Sequence, residues 1–271
     1  MRRPSAAWLL SSYTALLMTC APNLSRAQSQ VDLALVLAVD VSSSMTAAEQ
    51  DVQRQGFVAA FQSPKVHKAI QTGPLGRIAI TYVEWSGKDD QTVLVPWTVL
   101  DGPTAAWSFA ERLTRQPTRR GGLTSISGVI AASMRLLKEL DEEAMRQVID
   151  VSGDGPNNDG RKVAHARDRA VAAGITINGL PIMIKNLTSA WDIADLDAYF
   201  RDCVVGGVGA FMVAVQHRDQ FSEVIRTKLI REISGGDARG SLIIPAQAGA
   251  DCLAGEKRRA EEEALGGEGG L

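Results

Sequence analysis

The sequence predicts an α/β fold: a doubly wound, mostly parallel sheet with one antiparallel edge strand and helices on both faces. Three observations carry this. Residues 31–40 (VDLALVLAVD), 147–152 (QVIDVS) and 175–181 are short apolar runs bounded by polar or turn residues, the pattern of strands buried on both sides. The segments between them space their apolar residues as helices do. Strands that alternate with helices build βαβ units, and these lay helices over both faces of a parallel sheet.

Taken in order, the first strand ends in Asp40-Val41-Ser42-Ser43-Ser44, and Thr46-Ala47-Ala48-Glu49 is a capping box that opens a helix near Ala47. Phe57, Ala60 and Phe61 give that helix its buried stripe. Gly73-Pro74 and Gly76 break the chain before a second strand at 77–85. The polar turn 87–90 leads back through 92–97 as a hairpin, with Pro96 marking the sheet edge because it cannot donate to a ladder. Residues 104–114 are helical through Trp107, Ala110 and Leu113. A glycine-containing loop, 116–122, precedes a helix at 125–140 with Ile126, Val129, Ile130 and Leu137 on its apolar face. A strand at 147–152 meets the turn 153–158, a helix at 163–173 closes on Gly174, and strands are expected at 175–181 and 210–215. An amphipathic helix follows at 221–233. Residues 183–205, with Trp191, Asp192, Asp195 and Asp197, form a small helical insertion. After Leu253 the chain carries Glu256, Glu261, Glu262, Glu263 and five glycines, too little apolar surface to pack, so residues 254–271 are expected to be disordered.

The N-terminus is expected to be removed. Arg2 and Arg3 precede an apolar stretch at 6–18, and Ser25-Arg26-Ala27 supplies small residues for cleavage, so residues 1–27 read as a secretory signal peptide. Its loss takes the formal charge from −2 to −5 by removing Arg2, Arg3 and Arg26, and no basic patch argues for nucleic acid. The later apolar run at 203–215 has 13 residues with three glycines, too short to span a bilayer. The mature chain, 28–253 plus the tail, is therefore expected to be exported, periplasmic or extracellular, with no transmembrane anchor. Cys203 and Cys252 remain, and in an oxidising compartment such a pair forms one disulfide, the alternative being two separately buried thiols.

Three loops offer oxygen ligands. Asp40, Ser42 and Ser44 follow the first strand, Thr124 follows Gly121-Gly122 at a helix start, and Asp154 follows the strand at 147–152. In an open parallel sheet, strand ends and the helix starts that follow them share one edge, where ligands bind. Carboxylates and hydroxyls without thiol or imidazole suit Mg²⁺ or Mn²⁺ better than Zn²⁺. Taken singly, Asp40 and Thr124 also fit helix caps and Asp154 fits a turn before glycine; their joint order favours metal ligation.

In this combination the chain resembles the von Willebrand factor type A (vWA) domain, the Rossmann-like fold of integrin inserted domains. The metal-ion-dependent adhesion site of that family is a D-x-S-x-S turn, a Thr in a second loop and an Asp after a later strand, matched by Asp40-Val41-Ser42-Ser43-Ser44, Thr124 and Asp154. The likeness spans residues 31–233. A closer one, to an uncharacterised family of exported bacterial vWA-like proteins (a domain of unknown function), rests on residues 39–45, 123–127, 151–158, 201–211 and 250–255. The resemblance implies that Ser42 and Ser44 ligate Mg²⁺ (or Mn²⁺ or Ca²⁺) directly. Asp40, Thr124 and Asp154 would do so directly or through water. It also implies an open position that a protein partner's Asp or Glu carboxylate completes.

Other signals fade. The turn at 154–159 fails the EF-hand pattern at Pro156 and Asp159. Residues 206–209 precede a strand instead of joining strand to helix, and the chain holds no nucleophile elbow or P-loop. His67, His165 and His217 are isolated, and Asn186-Leu187-Thr188 is a sequon that carries little weight if the source is bacterial. A phosphotransferase with Asp40 as nucleophile would need a carboxylate where Ser42 stands, and the motif loops hold no His or Lys to act as a base. The sequence therefore favours a metal-dependent binding module over a metal-dependent hydrolase or phosphoryl-transfer enzyme, or a structural domain with a vacant site.

Overall fold

A computed structural model describes residues 29–184, 193–235 and 249–267. The expected signal peptide, and residues 185–192 of the expected insertion, lie outside them. The strands are β1 (Gln30–Val31), β2 (Leu33–Asp40), β3 (Ile78–Trp85), β4 (Gln91–Leu100), β5 (Glu143–Ala144), β6 (Gln147–Gly153) and β7 (Thr176–Pro181). The helices are α1 (Ala47–Gln62), α2 (Pro64–Thr72), α3 (Pro103–Thr114), α4 (Ile126–Lys138), α5 (Val163–Ala172), α6 (Leu196–Tyr199), α7 (Phe221–Ser234) and α8 (Ala254–Gly267). The central sheet runs β4-β3-β2-β6-β7, and β1 pairs with β5 apart from it. β3, β2, β6 and β7 are parallel, and β4 is the antiparallel edge.

β2 shows why the sheet needs helices on both sides, since all of its residues are buried. Leu33, Leu35, Leu37 and Val39 share a cluster with Phe57 and Phe61 of α1, Phe109 of α3 and Ile225 of α7. Ala34, Val36 and Ala38 point the other way, toward Val129 and Ile130 of α4 and Ala170 of α5. Each fully buried leucine contributes roughly 1.5–3 kcal/mol by leaving water. Small residues on the second face leave room for the β-branched side chains of α4.

The element boundaries follow local chemistry. Thr46 accepts from the Glu49 amide at 3.2 Å while the Glu49 carboxylate takes the Thr46 amide at 2.8 Å, the reciprocal cap expected for α1. Pro64 ends α1 and starts α2, with Ser63 as cap between them. β4 is longer than 92–97, and its register against β3 shifts around Tyr82.

Two expectations are corrected. Residues 210–215 are not a continuous strand: they lie beside the sheet edge in one parallel register and pair through two separate bridges, Gly179 to Met212 and Ile182 to Val215. Gly179 exchanges backbone hydrogen bonds with Phe211 and Val213, both at 3.1 Å, and between the bridges the pairing lapses, while the Phe211 amide is taken by the Asn178 side chain at 3.0 Å. Nor is the segment after Leu253 without structure, because Ala254–Gly267 is the helix α8. It is fastened by polar and covalent contacts that a count of apolar surface does not register.

The expected insertion holds α6 and a π-helical turn, Phe200–Val204, that buries Phe200 and Cys203. Cys203 and Cys252 are disulfide-bonded, with Cα atoms 5.4 Å apart. Among the described residues no helix is long and apolar enough to cross a membrane.

Candidate metal centre

The site lies where β2 and β6 end side by side. In the ladder Val39 faces Ser152, which sets Asp40 beside Gly153. A Cβ at Gly153 would come within 3.0 Å of Asp40 Oδ2, so glycine lets the two strand ends close up. Asp154 comes next, and the turn after β2 folds onto it. The Ser42 amide donates to Asp40 Oδ1 at 2.7 Å, the Ser42 and Ser44 hydroxyls lie 3.0 Å apart, and the Ser44 hydroxyl donates to Asp154 Oδ1 at 2.6 Å. Four of the five expected ligands thus form one hydrogen-bonded chain. Asp40, Ser42, Thr124 and Asp154 are buried, while Ser44 is half-exposed and Ser43 exposed. The cluster opens to solvent on the Ser44 side.

Thr124 is brought in by backbone. The Gly121 amide donates to Val41 O at 2.7 Å and the Ser43 amide to Gly122 O at 2.9 Å, so the glycine loop lies against the serine turn. Gly121 is required there, because a Cβ would stand 2.1 Å from the Ser86 hydroxyl. On the far side, the Thr124 amide donates to Asn158 Oδ1 at 2.8 Å and Thr124 O accepts from the Asn158 amide at 2.9 Å. Thr124 is thereby pinned to the loop that follows Asp154. Its hydroxyl has no hydrogen bond among the described residues.

The electrostatics single out one atom. Asp40 Oδ2 is buried and has no hydrogen-bond partner among the described residues. Burial, and then the charge of Asp154, push the Asp40 carboxyl up to about 7, against the amides of Ser42 and Asp154 that favour its ionised form. Among the described residues no three His, Cys, Asp or Glu side chains converge as a metal group, so any cation here must rely on hydroxyls as well as carboxylates. Two carboxyl groups, one of them with an orphaned buried oxygen, and three hydroxyls fit a hard divalent ion. They do not resemble the thiolate or imidazole set of a closed zinc site.

The sequence reading missed the residues that support this cluster. Asn157 and Asn158 appeared only as turn residues, yet Asn157 Oδ1 takes the Ser127 amide at 2.9 Å and the Tyr199 hydroxyl accepts from the Asn157 amide at 3.1 Å. Beneath the site Gln53 of α1 donates to the Ser152 hydroxyl at 2.8 Å. The buried Arg54–Glu84 ion pair ties α1 to β3, while Arg54 also donates to Gln116 O at 2.7 Å. A polar side chain on the buried face of an amphipathic helix, as at Gln53 and Arg54, is a signal that sequence offers. The asparagine contacts have none, because their partners are remote in the chain.

Solved structures share this architecture. Proximal thread matrix protein 1 from the mussel byssus is 13% identical, with a TM-score of 0.53 over 76% of this chain and 48% of that one. A second structure of that protein, described as having a zinc-occupied MIDAS (metal-ion-dependent adhesion site) motif, is 12% identical with a TM-score of 0.51 over 76% of this chain and 49% of that one. The pilus adhesin SpaC from Lactobacillus rhamnosus GG is 11% identical, with a TM-score of 0.57 over 77% of this chain and 32% of that one. The chain therefore spans about half of the mussel protein and a third of the adhesin. Such identities establish a likeness of fold alone. No curated protein matches the sequence. A family model described as a protein of unknown function (DUF1194) matches residues 30–237.

Proposed function

The chain belongs to the family of proteins of unknown function DUF1194, and we propose that it is an exported binding module that grips an acidic group of a partner protein through a divalent metal. The observation that carries this reading is the buried, unpartnered Oδ2 of Asp40 facing the charge of Asp154. A cation among these carboxylates and the hydroxyls of Ser42, Ser44 and Thr124 relieves both the repulsion and the missing hydrogen bond. Asp40, Ser42, Ser44, Thr124 and Asp154 would hold Mg²⁺, Mn²⁺ or Ca²⁺. The ion would supply positive charge that three neutral hydroxyl ligands leave less compensated than carboxylates in their places would, which favours an incoming carboxylate.

A binding role is favoured over catalysis by what surrounds the cluster. Ser42 occupies the position where a phosphotransferase would carry its second carboxylate, and the motif loops supply no imidazole or amine as a base. The zinc-occupied motif in the mussel protein and the adhesin description of SpaC support the same direction. The signal-peptide pattern at residues 1–27 supports an exported module, in the periplasm or outside the cell.

Water-proton relaxation with Mn²⁺ tests the reading in one titration. The expected result is one tightly held, water-exposed Mn²⁺ per chain, absent in Asp154→Ala. Peptides bearing Asp or Glu should lower the relaxation enhancement by displacing bound water, whereas their amide counterparts should not. A chain that takes up no Mn²⁺, or one whose bound water ignores carboxylates, refutes it. Metal-dependent turnover of a phosphoester would transfer the site to the hydrolase reading.

A further inference from the structure

The C-terminal helix, outside the span matched by the family model, lies directly on the loop that follows Asp154. Its approach is close: a Cβ at Gly255 would stand 2.1 Å from Asn157 O and 2.7 Å from the Asn157 carbonyl carbon. Only a glycine lets the helix reach that backbone. One residue on, Glu256 Oε1 accepts from Asn157 Nδ2 at 2.9 Å. A turn later, Arg259 donates to Asn158 O at 3.2 Å and pairs with Asp159 at 2.9 Å.

The start of the helix is fixed as firmly. The Cys203–Cys252 disulfide bonds it to the buried turn beside α6. The Ala250 amide donates to Asp202 at 2.9 Å, and Asp251 takes the Leu253 amide at 3.0 Å and Lys257 Nζ at 2.7 Å. A 14-residue helix rich in charge would be marginal on its own, so these attachments hold it in place.

The two asparagines it touches are those that reach into the site. Asn157 holds the Ser127 amide, and Asn158 exchanges two hydrogen bonds with the Thr124 backbone. Only Gly155 and Pro156 separate Asn157 from Asp154.

We propose that α8 is a positioning strap for the metal centre: Gly255 and Glu256, acting through Asn157 and Asn158, hold Thr124 and Asp154 at the spacing that a divalent ion needs. This rests on the metal reading above. It makes Glu256 a positioning residue, with no contact to the ion itself.

The test compares Glu256→Ala and Glu256→Gln in the full chain, by Mn²⁺ affinity and by amide hydrogen exchange without metal. Glu256→Ala should weaken Mn²⁺ binding roughly tenfold, the low end for groups that orient metal ligands. It should also raise exchange at Thr124, Ser127 and Asn158. Glu256→Gln keeps an oxygen acceptor for Asn157 Nδ2 and should restore both, which loss of a general structural role would not predict. Gly255→Val, which displaces the helix sterically, should reproduce Glu256→Ala. Wild-type affinity and exchange in Glu256→Ala, or no rescue by Glu256→Gln, would overturn the strap. A wild-type chain that takes up no Mn²⁺ sinks the metal reading instead. The strap is then decided by exchange alone, supported by lost protection at Thr124 and overturned by unchanged protection.

Discussion

Asp40→Asn should move stability in two opposite directions, depending on metal. Without metal, the buried Oδ2 of Asp40 has no partner and faces the charge of Asp154. An unsatisfied buried polar group costs about 1–3 kcal/mol. The amide is nearly isosteric, keeps an oxygen for the Ser42 amide that now bonds Oδ1 at 2.7 Å, and turns an N–H donor toward the neighbouring carboxylate. The variant should therefore be more stable than wild type by up to that amount. At about 2–4 °C per kcal/mol for a domain of this size, this raises Tm by about 2–12 °C in EDTA. With metal the order reverses in its response. An ion present at 100 times its Kd adds about 2.7 kcal/mol to wild type, about 5–10 °C, and the variant, with a ligand charge removed, should gain nothing. The assay is a thermal scan of both proteins in EDTA and in saturating Mg²⁺ or Mn²⁺. A variant that melts below wild type in EDTA, or that gains as much from metal, would refute the reasoning.

Two further outcomes follow from the same structure. Lys228 is buried between Asp150 and Glu232, and burial and then the Asp150 charge push the Glu232 carboxyl from 4.5 up to about 7. A carboxyl whose folded pKa is raised contributes fully below about 4.5 and loses that contribution as pH rises through about 7. Wild-type stability should decline across that window, and Lys228→Met, which orphans two acids, should steepen the decline, costing about 3–5 kcal/mol at pH 8 and less at pH 5. Urea unfolding at both pH values checks this; a loss independent of pH would contradict it. Gly121→Ala should destabilise by about 1–3 kcal/mol and weaken metal binding, because its Cβ would meet Ser86 at 2.1 Å. Gly122→Ala, with nothing within 4 Å, is the neutral control, and equal effects of the two in thermal scans and Mn²⁺ titration would discount the contact.

What could be read in the sequence was whatever local pattern determines. The apolar run of β2, the capping box of α1 and the order Asp40, Ser42, Ser44, Thr124, Asp154 depend on neighbours a few residues away, and the topology rule for parallel sheets brings the three loops together. Residues 210–215 misled because an apolar alternation says nothing of whether a strand edge is free to pair. Here Gly206 bridges Ile177 antiparallel, while Met212 and Val215 bridge Gly179 and Ile182 in one parallel register, so the segment lies beside the edge but pairs with it at separated positions. α8 misled for a different reason. Composition measured how little apolar surface it could bury, but its anchors are a disulfide to Cys203 and polar contacts to Asn157, Asn158 and Asp159, all distant in the chain.

The strand β6 contains its own control for the metal reading. Asp150, in its middle, and Asp154, just past its end, each have a second buried carboxyl group nearby, Glu232 for the first and Asp40 for the second. At Asp150 the fold supplies the counter-charge itself: Lys228 reaches in from α7, bonds both carboxylates and is as buried as they are. Two acids and one base can share their charge there without help from solvent. At Asp40 no lysine or arginine forms an ion pair among the described residues, and the groups aimed at its carboxylate are backbone amides and serine. The same chain thus neutralises one acidic pair internally, while around the Asp40 carboxylate it sets backbone amides and serine, with the cluster open to solvent at Ser44. Neutral hydroxyls compensate no carboxylate charge but can ligate a cation, which supports the proposal that the sheet end takes up an ion from outside.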